Sequence, residues 1–197
     1  MSAEPINSPM DCQQWVELLD GRRTLLRPIC ALDKAAILAF FDRLSAETRF
    51  LRFHHVKTRL APDEVDQYCC VDYHNTFGLV AEMWRGGHND IVAVGRYSRL
   101  PCYDSAEVAF VVEDNEQGKG IGTHLLKILS MLAKERGIKT FVAELLSDNV
   151  IMLDIFRKHD PDLKQEVDGS SHHVILSAQP SKARPAFSVH SRKNRSR

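Results

Sequence analysis

The sequence predicts an α/β domain: a mixed, mostly antiparallel central sheet of the α+β kind, flanked by helices. Three observations point there. Three strand-like runs between residues 76 and 113 are joined by connections too short for a crossover, which makes them an antiparallel meander. The last run meets a glycine-rich turn, and an amphipathic helix starts from it at once. Beyond that helix come a strand, a helix and a closing hairpin. A chain of 197 residues suits about one domain with a core of ordinary size.

The elements follow in order. Residues 1–10 read as disordered, and a short helix is expected around Asp11–Leu19, packing Trp15, Leu18 and Leu19. These first 20 residues form an N-terminal extension to a domain spanning 21–179, with 180–197 as a basic tail. The extension is too short for a domain of its own. Gly21 turns the chain into a first strand, Arg23–Ile29. Asp33 can cap a helix through Ala35–Arg43, with Ile37, Leu38, Phe40, Phe41 and Leu44 mostly buried. Pro62 opens a second helix reaching about Cys70, because its missing N–H costs nothing at a helix start.

Strands are expected at Thr76–Trp84, Ile91–Ser98 and Ala106–Glu113, with turn residues at 85–90 and Gly95 as a candidate bulge. The helix Ile121–Arg136 shows Ile121, Leu125, Ile128, Leu129 and Leu132 at helical spacing, and Gly137 is placed to cap it. Lys139–Leu146 is a strand, and Asp148 or Ser147 can cap a helix over Asn149–His159. Leu163–Val167 and His173–Leu176 close the domain as a hairpin around Asp168-Gly169.

Bulk composition narrows the function classes. No stretch approaches the ~20 apolar residues of a membrane span, and the N-terminus lacks the basic-then-apolar pattern of a secretory signal. The five cysteines, Cys12, Cys30, Cys69, Cys70 and Cys102, are odd in number and show no metal spacing. Reduced thiols in the cytoplasm are the simplest account, with Cys69 and Cys70 structural. The chain is neutral overall, yet residues 180–197 carry +6 with no acid, so residues 1–179 carry the compensating −6. An acidic folded part argues against a nucleic-acid-binding domain. The tail, with Pro180, Pro185 and several serines, reads as a solvated terminus.

The chemistry concentrates in Gln117-Gly118-Lys119-Gly120-Ile121-Gly122. Glycines let the backbone approach a bulky anion. The first N–H groups of the helix have no internal partner, and its dipole adds partial positive charge there. Together these make a cradle for a diphosphate. A Walker loop is excluded, because Gly118-Lys119 is followed by Gly120 rather than Ser or Thr. A dinucleotide fingerprint is excluded too: the third glycine would fall on Thr123 or Leu125, and the motif sits in the middle of the chain.

What remains, Gln117-x-x-Gly120-x-Gly122, resembles the acetyl-CoA signature of the GCN5-related N-acetyltransferase (GNAT) superfamily, and the order of elements over residues 21–177 is that of its fold. Asp20-Gly21 with Leu26-Arg27-Pro28-Ile29, the Leu44–Phe53 segment and Ala106-Glu107 look like the catalytic domain of bacterial Pat-type protein lysine acetyltransferases. The resemblance implies acetyl-CoA as donor, bound by Gln117, Gly118, Lys119, Gly120, Ile121, Gly122 and Thr123, with no metal. It implies that backbone groups of Phe110 and Val112 take up the pantetheine arm like an added strand, one amide polarising the thioester. A splay between that strand and Lys139–Leu146 would open the slot. Asn149 is implied as a further cofactor contact, although it suits an N-cap equally. The acceptor implied is a lysine on a protein surface. A small amine as acceptor, or an acyl-CoA-binding module without turnover, stays open.

Acetyl transfer to an amine needs a proton acceptor, because a lysine with pKa near 10.4 is otherwise charged, and a donor for the developing oxyanion. Glu107 lies in the apolar run Ala106–Val112, on the face of Ala109 and Val111. A carboxylate there is costly unless paired or used, and desolvation would make it a better base. In Pat-type enzymes the glutamate of this Ala-Glu strand motif is catalytic. The alternative is a strand-end glutamate paired with Arg96 or Arg99. Glu113, nearer the turn, is expected in solvent, and Arg49 and Arg52 are candidates for the substrate mouth or for solvated helix ends. Many relatives carry a tyrosine that protonates the thiolate seven residues after the asparagine; here Phe156 stands there, so that acid is absent. The pairs His54-His55 and His172-His173 lack a third ligand at usable spacing and read as surface or packing residues.

Overall fold

The computed structural model describes residues 12–101 and 104–179. The expectations for residues 1–10, for Cys102 and for the basic tail lie outside the described residues. Among the described residues, eight strands form one sheet in the order β1-β2-β3-β4-β5-β6-β8-β7. They are β1 Gln14–Glu17, β2 Arg23–Pro28, β3 Thr76–Arg85, β4 His88–Arg99, β5 Ser105–Val112, β6 Thr140–Leu146, β7 Lys164–Asp168 and β8 Ser171–Ser177. Only β5 and β6 pair in parallel; the other neighbours are antiparallel. The helices are α1 Lys34–Arg43, α2 Ala46–Phe53, α3 Pro62–Cys69, α4 Ile121–Glu135 and α5 Val150–His159.

Side-chain alternation gives the sheet two cores. On one face α4 and α5 cover Phe77, Leu79, Ala81, Ala106 and Val108, with Leu125, Leu129 and Leu132 of α4 fully buried. On the other, α1 and α3 cover Val80, Val94 and Val111 through Ile37, Phe40, Phe41 and Val65. A sheet buried on both faces explains the nearly unbroken apolar runs of β3 and β5.

Four local expectations are corrected. Residues 14–17 form an edge strand paired with β2, not a helix, so the segment set apart as an extension joins the sheet. Its inward pattern has period two: Val16 and Leu18 face the core, while Trp15 is 56% exposed under the Arg23 guanidinium. Asp33 does not cap α1 with its side chain. It is held by Arg27 and by the Cys30 amide, at 2.7–2.8 Å, in a 3-10 turn. The bulge lies at Val92, where the register jumps from Ala81–Ala93 to Glu82–Ile91, and not at Gly95. Gly95 serves packing instead: a Cβ there would come within 2.9 Å of the Phe110 ring. The cap of α5 is not Ser147 or Asp148 but Asn149, whose Oδ1 accepts from the Met152 amide at 3.2 Å, in keeping with the N-cap reading of that residue.

Candidate active site

The sheet is split where its two halves meet. β5 and β6 pair over three positions only, Ser105–Thr140, Ala106–Phe141 and Glu107–Val142, and then diverge. Beyond Glu107 the two strand ends run on without a common ladder. The Glu113 amide donates to the Val92 carbonyl, so alternation along β5 turns the backbone groups of Val112 and Phe110 away from β4 and into this gap.

At the gap's far end lies the glycine loop. Gly118 has φ +73° and Gly120 φ +90°, a region that L side chains rarely adopt. Gly120 is the residue before α4, so the free N–H groups of Ile121, Gly122 and Thr123 face out from a left-handed entry. Gly122 is needed less for φ than for room, since a Cβ would sit 3.1 Å from Cδ1 of Ile155. A groove of about 460 Å³ runs along this loop; Phe110, Val112, Gln117, Gly118, Gly120, Ile121, Gly122, Thr123 and Asn149 all line it.

Two of the expected loop side chains are already engaged within the protein. Lys119 folds back onto Glu116, with Nζ 3.1 Å from Oε2, and onto the Asn115 carbonyl, and is absent from the groove lining. The Gln117 amide donates to the Val112 carbonyl and to Thr48 Oγ1, both at 3.1 Å, and so ties the loop to β5 and α2.

Beneath the loop lies a network that sequence reading missed. Glu116, 4% exposed, is contacted by Arg22 and Arg85 at 2.5 Å and by Lys119. Burial pushes its carboxyl up, but the hydrogen bonds from Arg22 and Lys119 outweigh this and hold it below its ordinary value. Glu113 is buried as well, between Arg85 at 2.8 Å and Arg43 at 3.2 Å, which corrects the expectation of a solvated carboxylate. Asp114 takes the Ser45 amide and hydroxyl and the Thr48 hydroxyl at 2.6–2.9 Å; these donors outweigh burial and keep its carboxyl low. The Lys119 carbonyl accepts from Leu19, whose 83%-exposed side chain forms a wall of the groove.

At the near end of the gap the groove joins a cleft lined by Glu107, Phe110, Arg52, His54, Glu144 and Phe156. Glu107 lies on the α1–α3 face with Ala109 and Val111, as alternation predicts, but it is exposed rather than desolvated. Among the described residues it enters no ion pair, with Arg96 or any other residue. Its carboxylate also borders a second cleft of about 260 Å³, formed by Arg52, Tyr68, Arg96 and Ser98. The two candidate arginines part ways here. Arg52 borders both clefts, whereas Arg49 is structural, stacked 4.5 Å over Phe41 and donating to the Asp42 and Thr58 carbonyls. Phe156 is fully buried and packs edge-on against Phe110. Of the histidines, His54 ends α2 at φ +60° and reaches the first cleft. His172 is held by Gln165 in the last hairpin. Cys69 is buried, with its thiol pushed up to about 11 by desolvation, in keeping with a structural role.

A split sheet with a glycine-cradled helix start beside the split, and a free carboxylate where the strands part, describes a class of enzymes that lay an acyl-CoA along the gap. Residues 39–160 match the acetyltransferase (GNAT) family, and the chain belongs to it as an N-acetyltransferase. This family uses acetyl-CoA. The GNAT domain of PAT from S. lividans superposes with a TM-score of 0.77 at 29% identity, over 87% of this chain and 99% of that domain. The acetyltransferase Pat of Mycolicibacterium smegmatis is 34% identical over 143 residues, 71% of this chain but only 41% of Pat. An acetyltransferase of Pseudomonas aeruginosa is 29% identical over 160 residues, 78% of this chain and 86% of that protein.

Proposed function

We propose that the chain transfers the acetyl group of acetyl-CoA to lysine side chains of proteins, with Glu107 as the general base. The observation that carries this is the position of Glu107, a free carboxylate on the last paired rung of β5 and β6, where groove and open cleft meet. The groove fits the donor, because a left-handed glycine turn at its end opens the free N–H groups of a helix start to a diphosphate. The thioester supplies an activated acetyl group. The free N–H groups of Ile121, Gly122 and Thr123 hold the diphosphate, and the inward backbone of Phe110 and Val112 holds the arm. Gln117 already occupies the Val112 carbonyl, which leaves the amides of this stretch to donate to the arm and to the reacting carbonyl. Glu107 takes the proton from the incoming ammonium, directly or through a water, and the neutral amine attacks. With Phe156 fully buried and without a hydroxyl, the thiolate leaves without help from that position.

The likeness to two Pat proteins supports the protein acceptor. A second reading, a small amine as acceptor, draws on the cleft beside Glu107. A mouth open to protein lysines needs few fixed polar groups, yet Arg52, Tyr68, Arg96 and Ser98 stand there. Labelled acetyl-CoA supplied with a cell extract and with a panel of amines separates the two. Acetylated lysines above a heat-killed control are the expected result. Efficient labelling of one small amine with no protein labelling overturns the protein reading.

A further inference from the structure

The cleft beside Glu107 holds more positive charge than an amine acceptor calls for. Its charged groups are Arg52, Arg96, Glu64 and Glu107. Glu64 is already neutralised by Lys57 Nζ at 2.5 Å and accepts the Ala61 amide at 2.8 Å. That leaves two guanidiniums facing one carboxylate, and among the described residues neither arginine is ion-paired. Elsewhere the pattern is opposite: Arg22, Arg27, Arg43 and Arg85 all meet acids that are buried.

The two arginines come from different elements and are fixed by one tyrosine. Arg52, on α2, donates to the Tyr68 hydroxyl at 3.2 Å. Arg96, on β4, lies 5.0 Å over the Tyr68 ring and reaches Ser98 Oγ at 3.4 Å. These partners are neutral, so they orient the guanidiniums without spending their charge. Burial works against the charged form of Arg96 and the neighbouring Arg52 adds to this, which together outweigh the favourable charge of Glu107. An arginine remains protonated nonetheless. An oriented pair with one positive charge in excess is a receptor for a planar anion, which a guanidinium fork binds through paired hydrogen bonds.

We propose that Arg52 and Arg96 form a carboxylate subsite, so that the preferred acceptor bears a carboxylate close to the amine that Glu107 deprotonates. This rests on the reading of Glu107 as the base. The acidic bulk of the protein attracts cations at a distance, but the groups in contact select an acceptor of mixed charge. The carboxylate can come from an acidic side chain flanking a lysine, or from the α-carboxylate of a free amino acid.

Acceptor pairs that differ only in carboxylate against carboxamide test this. One arm uses lysine peptides with Glu or Gln beside the lysine; the other compares free lysine with lysinamide. Wild-type protein, Arg52→Gln and Arg96→Gln are assayed for kcat/KM, and thermal melts confirm folding. The expected result is a preference for the carboxylated member on the order of tenfold in wild type, falling to about twofold or less in either variant. Should Arg96→Gln fail to fold, Arg52→Gln decides alone. A preference among the free amino acids with no turnover of the lysine peptides sustains the subsite and overturns the protein-lysine reading. No preference in wild type, one that survives in the folded variants, or turnover of neither carboxylated acceptor overturns the subsite.

Discussion

The donor side and the acceptor side of this enzyme are built on opposite principles. Under the glycine loop, Glu113, Glu116 and Asp114 are locked by Arg43, Arg85, Arg22, Lys119, Ser45 and Thr48. Around Glu107 the charged side chains stand open, and those of Arg52 and Arg96 have only neutral partners. On the proposed function, the difference follows from what each side binds. A donor common to a whole family can be met by a fixed backbone cradle, and burying acids against several cations fixes a backbone that glycines would otherwise leave loose. An acceptor must enter, lose a proton and leave, so its groups are held within reach of solvent.

Substitutions on the two sides should therefore fail differently. The largest effect is expected for Glu107→Gln: a loss of about 10²–10⁴ in turnover, with unchanged melting temperature and unchanged acetyl-CoA affinity by calorimetry. The loss should shrink at high pH, where the acceptor amine deprotonates unaided. Wild-type turnover with chemistry rate-limiting would move the role to another group. Glu116→Gln should do the reverse and act first on stability. A cost of about 3 kcal/mol is expected, the low end for breaking a buried pair, because Arg85 keeps Glu113 and Arg22 can reach solvent. Chemical denaturation reads it, and acetyl-CoA affinity should fall with it.

The two glycines of the signature sharpen the comparison further. Gly120→Val forces a β-branched residue to φ +90°, a strain of about 1–3 kcal/mol, and should weaken acetyl-CoA binding at least tenfold. Gly122→Ala meets only the end of the Ile155 side chain, so a loss of less than about 1 kcal/mol is expected. Equal effects of the two on affinity would show that the loop is not held as described.

The smallest effect concerns acid. Asp33, Asp114 and Glu116 are all held below the ordinary carboxyl range: burial raises each, and Arg27, Ser45 and Arg22 respectively lead the donors that outweigh it. A depressed carboxyl stabilises the fold above its unfolded value, near 4, and this stability is lost as pH falls through the lower folded value. These groups should leave the melting temperature level from pH 8 to 5, with a decline below about 4. Asp114→Asn should flatten that decline. A melting temperature that rises on acidification below pH 4 would contradict the network.

Local signals served where one stretch of chain settles its own geometry. The apolar stripe of α4, Pro62 at the start of α3, the three-glycine turn and the hairpin at Asp168-Gly169 are written in short-range pattern, and the structure has them. The same holds for the family and for the face on which Glu107 lies. Where the outcome depends on a partner far along the chain, the pattern misled. Residues 14–17 became a strand because the β2 edge was open to them, and four residues have too little periodicity to announce that. Gly95 proved to make room for Phe110, fifteen residues on and on the neighbouring strand.

The sequence by itself determined the fold class, the glycine cradle and the type of chemistry, because spacing within one strand–turn–helix unit encodes all three. Only the tertiary structure decided which charges are spent and which are free. Glu113 and Glu107 are six residues apart in the same strand region, and sequence reading put the first in solvent and the second under desolvation. Their environments are the reverse, because Arg43 and Arg85 arrive from α1 and β3 to bury one, while the parting of β5 from β6 opens the other to the cleft. Ion pairing and solvation are set by groups brought together from distant positions, and no local period carries that information.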